Sequence, residues 1–327
     1  MSRKPPAQVL WGKLAWHPAV AAWREIAPEA PEPESIEVLR QGRKSATYRL
    51  TGAGPGGAPV IAQRSRGSKG QIERTVYERI LPHLPVTAPA YLGSRQDTPE
   101  YLWLFLEDVG DERCSKTDPE HRALAARWLG LMHTSAKGVA AARDLPDGGP
   151  RRYLDHLRAS RDAIVANLRN PALAPDDATL LERLAFRLDS LESSWNGIQE
   201  ACAGVPATLV HGDFQPKNAY IRPAASGPEV VPIDWETAGW GVPAVDLARL
   251  DLATYQAVVQ PCWPELHAED VRRLAACGTV FRALAAIFWV SPQLAYDTAH
   301  WLILPLSKLR SYERQLCEGL GEVGGLA

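Results

Sequence analysis

The chain has 327 residues, 46% hydrophobic and 23% charged, with a formal net charge of −2. That is long enough for two lobes with a real core in at least one, and the near-neutral balance gives no argument for nucleic acid or an anionic membrane surface as partner. No basic stripe with interleaved aromatics marks a nucleic-acid binder, and the longest apolar stretch, Ala283 to Val290, falls short of the roughly 20 residues of a membrane span.

Met1-Ser2-Arg3-Lys4 is followed by Pro5, Pro6 and Gln8 instead of an apolar run, so no signal peptide is expected and the chain reads as cytoplasmic. Five scattered cysteines without a Cys-x-x-Cys pair support neither structural zinc nor a disulfide framework.

Leu10 to Ile26, with Trp11, Trp16 and Trp23, reads as a short helical segment whose aromatic rings pack on the first lobe. Ala27 to Glu34 alternates Pro, Glu and Ala and reads as an extended link. Strands are expected over Ile36–Arg40, Ala46–Leu50 and Val60–Gln63, punctuated by Gly42 and the turn Gly52 to Pro59. Ile72, Val76, Tyr77 and Ile80 have helical spacing up to Pro82, and Tyr101–Leu106 is a further strand. Beyond Pro119 the pattern is mostly helical: Ala123–Ala136, Tyr153–Leu168, Asp176–Ala201, Ala268–Val290 and Asp297–Gly319. A hairpin of Ala219–Arg222 and Val230–Ile233 interrupts it.

The chemistry concentrates in His211-Gly212-Asp213-Phe214-Gln215-Pro216-Lys217-Asn218 and, past the hairpin, Ile233-Asp234-Trp235-Glu236. Phosphoryl transfer needs magnesium held by hard oxygen donors and an acceptor hydroxyl held in line. Asn218 and Asp234, one hairpin apart, can converge on one ion, while Asp213 can accept a hydrogen bond from the hydroxyl and take its proton late. Read alone, an Asp-x-x-x-x-Asn segment also fits a plain turn, since both residues favour turns.

His-x-Asp-x-x-x-x-Asn followed by Ile-Asp-Trp-Glu resembles the catalytic and metal-binding loops of aminoglycoside phosphotransferases and choline-kinase-like enzymes. Gly241-Val242-Pro243-Ala244-Val245-Asp246-Leu247-Ala248 is similar to the Gly-x-Pro-x-x-Asp-Leu-Ala found next in that family. The resemblance spans roughly Ile36 to Ala295. It implies an α+β, bilobal protein-kinase-like fold with a small antiparallel-sheet N-lobe and a larger, mostly helical C-lobe. Residues 1–35 would be an N-terminal helical extension, 36–107 the nucleotide-binding lobe, and 108–327 the lobe with catalytic loop, metal loop and acceptor pocket. It further implies Asp213 as the catalytic aspartate, Asn218 and Asp234 as magnesium ligands, and His211 and Asp246 as supports of the loop.

In the first lobe, Gln41-Gly42-Arg43-Lys44-Ser45-Ala46 occupies the nucleotide-covering hairpin with a single glycine, leaving Ser45 and nearby N–H groups to meet phosphate. Glu73, read as opening the helix, matches the family glutamate that holds a strand lysine, but the lysine position reads Gln63. An amide lacks the Coulomb attraction of an ammonium for phosphate. Arg64 could replace it only in a shifted register, Arg66 or Lys69 could reach in from the next loop, or nucleotide binding is weak. Leu106-Glu107-Asp108-Val109 resembles the family hinge that meets adenine through backbone groups, which implies Glu107 and Val109 as nucleotide contacts.

The resemblance thus implies an enzyme that uses ATP (or GTP) and Mg2+ to phosphorylate a hydroxyl of a small molecule, an antibiotic such as an aminoglycoside or a metabolite. A nucleotide-binding pseudokinase, motivated by Gln63, is the alternative; a scaffold and a metallohydrolase built on His211 are further rivals. Trp128, Leu131, Met132 and His133 are read as core, and Trp289 and Trp301 as helix packing.

Overall fold

Alternating burial along the first strands builds a six-stranded antiparallel sheet, as the computed structural model of residues 8–42, 45–225 and 227–324 describes it. Its strands are β1 (Gln8–Trp11), β2 (Ser35–Gln41), β3 (Ala46–Thr51), β4 (Val60–Arg66), β5 (Tyr91–Thr98) and β6 (Tyr101–Glu107), in the order β1-β2-β3-β4-β6-β5. In β3, Ala46, Tyr48 and Leu50 are buried while Thr47, Arg49 and Thr51 are half-exposed, the period of two that puts one face in a core.

Two helices use opposite faces of β4 and β6. Helix α1 (Pro18–Ile26) lays Trp23 against Phe105, ring centroids 5.1 Å apart, over the face that carries Ala62 and Trp103. The Trp23 indole N–H donates to the Ala53 carbonyl at 2.9 Å. Helix α2 (Gly67–Thr75) covers the face of Gln63 and Ser65, with Gly70 close to Leu102 and Ser65.

The N-terminal segment differs from the expected helix. Gly12 at φ +98° ends a strand, β1, paired with β2, and Pro18 opens α1 in the first helical turn, where its missing N–H is no loss. Only Trp23 packs; Trp11 and Trp16 are 72% and 69% exposed. Strand β5 had no signal: Gly93, Ser94, Arg95, Gln96 and Asp97 show no apolar alternation, and the strand forms the sheet edge by pairing with β6. Helix α2 starts at Gly67, ahead of Ile72, so Glu73 lies inside it; a wider turn over Val76–Ile80 continues it.

The helical part contains α3 (Pro119–Ser135), α4 (Pro150–Ala166), α5 (Pro175–Ser193), α6 (Trp195–Ala201), α7 (Ala244–Leu247), α8 (Leu252–Val259), α9 (Ala268–Val290) and α10 (Ala299–Gly324). The expected helix Asp176–Ala201 breaks at Ser194 into α5 and α6. Helix α9 is the core element, with Tyr153 of α4 stacked on its Phe281 at 4.3 Å. The segment Ala268–Ala295 is long and apolar enough to cross a membrane by composition alone, with a mean hydropathy of 1.7, yet 67% of its most apolar window is buried inside the protein. Trp128, Met132 and His133 are core as read, whereas Leu131, Trp289 and Trp301 are 43%, 49% and 63% exposed.

The chain divides into two compact units, one of the described residues up to Leu124 with Phe214–Ala238, the other of Ala125–Asp213 with Gly239 onward. The hairpin after Asn218 therefore groups with the sheet. Cys114 N–H donates to Ala219 O at 2.9 Å, Ile221 N–H to Glu112 O at 2.9 Å, and Thr87 Oγ1 to Val230 O at 2.6 Å.

Candidate active site

In the helical unit the short strand Thr208–Val210, paired antiparallel with Gly239–Gly241, delivers the chain to His211. Asp246 in α7 then organises the turn, accepting from His211 N–H at 2.7 Å and Gly212 N–H at 3.0 Å. His133 Nε2 lies 3.4 Å from the same carboxylate, and its Nδ1 meets the Tyr255 hydroxyl at 3.0 Å. Burial alone would raise the Asp246 carboxyl, but the bond and charge of His133 and the His211 contacts hold it below the ordinary carboxylate range. The Asp213 N–H donates to His211 Nδ1 at 3.3 Å, so the buried imidazole fixes the backbone of the residue read as catalytic.

Arg282 belongs to the same neighbourhood and sequence reasoning missed it. Burial lowers its pKa from the ordinary guanidinium value, offset by the Asp213 and Asp246 charges. A lone arginine inside the apolar run of α9 was the available signal.

In the sheet unit, Ile233 N–H donates to Asn218 O at 2.8 Å, which sets Asn218 beside the chain entering Asp234. Asn218 is buried and Asp234 half-buried. Asp234 has φ +69°, a left-handed backbone that side chains rarely adopt and that costs roughly 1–2 kcal/mol.

Helix α2 faces this segment. Lys69 Nζ donates to Glu236 Oε1 at 2.6 Å. One turn on, Glu73 is fully buried and its Oε2 accepts from Gln63 Nε2 at 2.7 Å and Ser65 Oγ at 3.4 Å. Burial, with the charges of Asp234 and Glu236, pushes Glu73 up to about 8; the bonds from Gln63 and Ser65 pull the other way. At neutral pH the Gln63–Glu73 contact is therefore largely an amide against a carboxylic acid, and Glu73 Oε1 is buried without a hydrogen-bond partner.

Of the remaining nucleotide-side residues, Ser45 accepts at its carbonyl from Gly42 N–H at 2.9 Å; Arg43 and Lys44 lie outside the described residues. The Glu107 carboxylate accepts from Ala90 N–H at 3.0 Å and pairs with Arg222 at 3.2 Å, and Val109 lies just beyond β6.

The family model of the phosphotransferase enzyme family matches residues 35–261, more than half of the chain. The chain belongs to this phosphotransferase family. It is a small-molecule kinase with a protein-kinase-like fold. Among curated proteins no sequence matches it. Among solved structures, the phosphotransferase resembles the GDP and kanamycin complex of APH(2")-IIIa at 15% identity and a TM-score of 0.63, covering 92% of this chain and 99% of that one. It is similar to a Plasmodium vivax ethanolamine kinase at 13% identity and a TM-score of 0.57, covering 89% and 86%. Spectinomycin phosphotransferase with ADP and its antibiotic matches at 9% identity and a TM-score of 0.55, covering 89% and 93%.

Proposed function

We propose that this phosphotransferase uses ATP and Mg2+ to transfer the γ-phosphoryl group to a hydroxyl of a small molecule, with Asp213 as the catalytic carboxylate. The observation that carries the reading is the strained Asp234 backbone at φ +69°, set directly after the Ile233–Asn218 bond. Strain of that kind persists where the surroundings hold it against relaxation, and it clusters at functional sites.

The donor set fits magnesium. An amide oxygen from Asn218 and a carboxylate from Asp234 are hard ligands, and two protein ligands leave room for waters and phosphate. Bound there, the ion neutralises the charge that builds on the polyphosphate during transfer. Asp213, five residues before Asn218, accepts the hydrogen bond of the incoming hydroxyl and orients its lone pair toward the γ-phosphorus. The oxygen–phosphorus bond forms as the bond to the ADP oxygen breaks, and Asp213 takes the proton late. His211 and Asp246 keep the Asp213 backbone in place. Ser45, Glu107 and Val109 are proposed to contact nucleotide, the last two through the backbone.

The related structures carry an aminoglycoside, spectinomycin or the name of ethanolamine, so amines that bear a hydroxyl group head the screen. ADP release is measured across hydroxyl-bearing antibiotics and metabolites. An acceptor-dependent rate that falls about 100-fold or more in Asp213→Ala, with nucleotide binding retained, supports the reading. Unchanged turnover in Asp213→Ala sinks the assignment of the carboxylate. Absence of Mg2+-dependent binding of both ATP and GTP in the wild type sinks the proposed reaction.

A further inference from the structure

The family's strand lysine is missing, and three basic residues compete to replace it. Side chains along β4 alternate between faces. Gln63 and Ser65 turn to Glu73, so Arg64 and Arg66 belong to the opposite face. Arg64 is bound to Asp97 at 2.6 Å and stacks over Tyr101 at 3.9 Å, and Arg66 lies in an exposed pair with Glu100 at 3.4 Å. Lys69 alone of the three reaches the Asp234 segment. It stands one helical turn before Glu73 on α2, its side chain 33% exposed, with its ammonium 2.6 Å from Glu236.

A second observation points the same way. The Asp234 and Glu236 carboxylates lie near enough to Glu73 for their charges to act on it, and Lys69 donates to Glu236 of that group. Gln63 brings no charge to Glu73, whose outer oxygen lacks a partner. The role of a phosphate-binding ammonium is thus separated from the strand that carries it elsewhere in the family.

We propose that Lys69 is the phosphate-binding cation of this enzyme, exchanging part of its bond with Glu236 for the polyphosphate of the bound nucleotide. The proposal rests on the kinase reading above. It makes Lys69 a nucleotide-binding residue borne by a helix, while Gln63 and Glu73 form a hydrogen-bonded brace one turn away.

Calorimetry of adenosine, ADP and ATP binding to the full chain tests this. Lys69→Gln keeps a hydrogen-bond donor for Glu236 and removes the charge; Lys69→Met serves as a second variant, and Lys69→Arg restores the charge. Loss of one charged hydrogen bond predicts roughly 10- to 100-fold weaker ADP and ATP binding in the first two. Adenosine affinity stays within about twofold, and Lys69→Arg recovers most of the loss. If Lys69→Gln binds ADP and ATP as the wild type does, or loses adenosine by the same factor, the proposal is overturned and the kinase reading stands. A wild type that binds neither nucleotide overturns both.

Discussion

Asp234 combines a ligand's chemistry with a backbone that opposes most side chains. Its φ of +69° is shared among the described non-glycine residues only by Arg249. The carboxylate and the strain can be separated by substitution. Asp234→Ala and Asp234→Gly both remove the oxygen donors, so both are expected to abolish Mg2+-dependent ATP binding by calorimetry. Glycine adopts positive φ without steric cost, whereas alanine does not. Asp234→Gly is therefore expected to be the more stable of the two, by about 1 kcal/mol in chemical denaturation. Equal stability would show that the surrounding segment relaxes and that the backbone stores nothing.

At the scale of elements, the placement of Asp246 depends on a close contact in α9. A Cβ on Gly278 would stand 1.9 Å from the Ala244 carbonyl oxygen, so glycine lets α7 lie against α9. Helix α7 in turn carries the carboxylate that ties down His211 and Gly212. Gly278→Ala is expected to destabilise the protein by roughly 1–3 kcal/mol, as overpacking does. It should also lower the turnover rate more than it weakens ATP binding, because the shift reaches Asp213 through its supporting loop. A parallel loss of both would place the effect elsewhere. Gly278 illustrates what the sequence conceals, since a lone glycine in a helix reads only as a weak position. The link from His211 to Asp246 was legible only through the resemblance of both segments to family motifs, and α9 emerged with its observed bounds because its apolar run is long. Strand β5 and the start of α2 were not legible: the first is an edge strand without apolar alternation, and the second begins with Gly67-Ser68-Lys69-Gly70. Lys69 was among the candidates for the missing charge, but only the register of β4 separates it from Arg64 and Arg66.

Across the whole molecule, two buried groups make stability depend on pH in opposite directions. Glu73 in the sheet unit is raised from 4.5 to about 8, chiefly by burial, so the folded state holds its proton more tightly than the unfolded chain. Its contribution is fully present below about pH 4.5 and is lost as pH rises through about 8. His156 in the helical unit is lowered from 6.5 to about 4, by burial and then by Arg152; its ring stacks on Phe288 at 4.2 Å and its Nδ1 is buried without a partner. The folded state therefore resists its protonation, and stability falls as pH drops from about 6.5 toward 4. Between about pH 6.5 and 8 only Glu73 contributes a slope, so thermal melting of the wild type should weaken as pH rises across that window, while between about pH 4.5 and 6.5 the two slopes oppose and largely cancel. Glu73→Gln retains an acceptor for Gln63; it should remove the decline above about pH 6.5 and expose the His156 decline from about pH 6.5 toward 4. His156→Phe keeps the stacked ring, removes the orphaned nitrogen, and should extend the Glu73 slope down to about pH 4.5. A Glu73→Gln protein that still weakens between about pH 6.5 and 8, or a His156→Phe protein whose stability stays flat between about pH 4.5 and 6.5, shows that the buried group is not the source of that pH dependence.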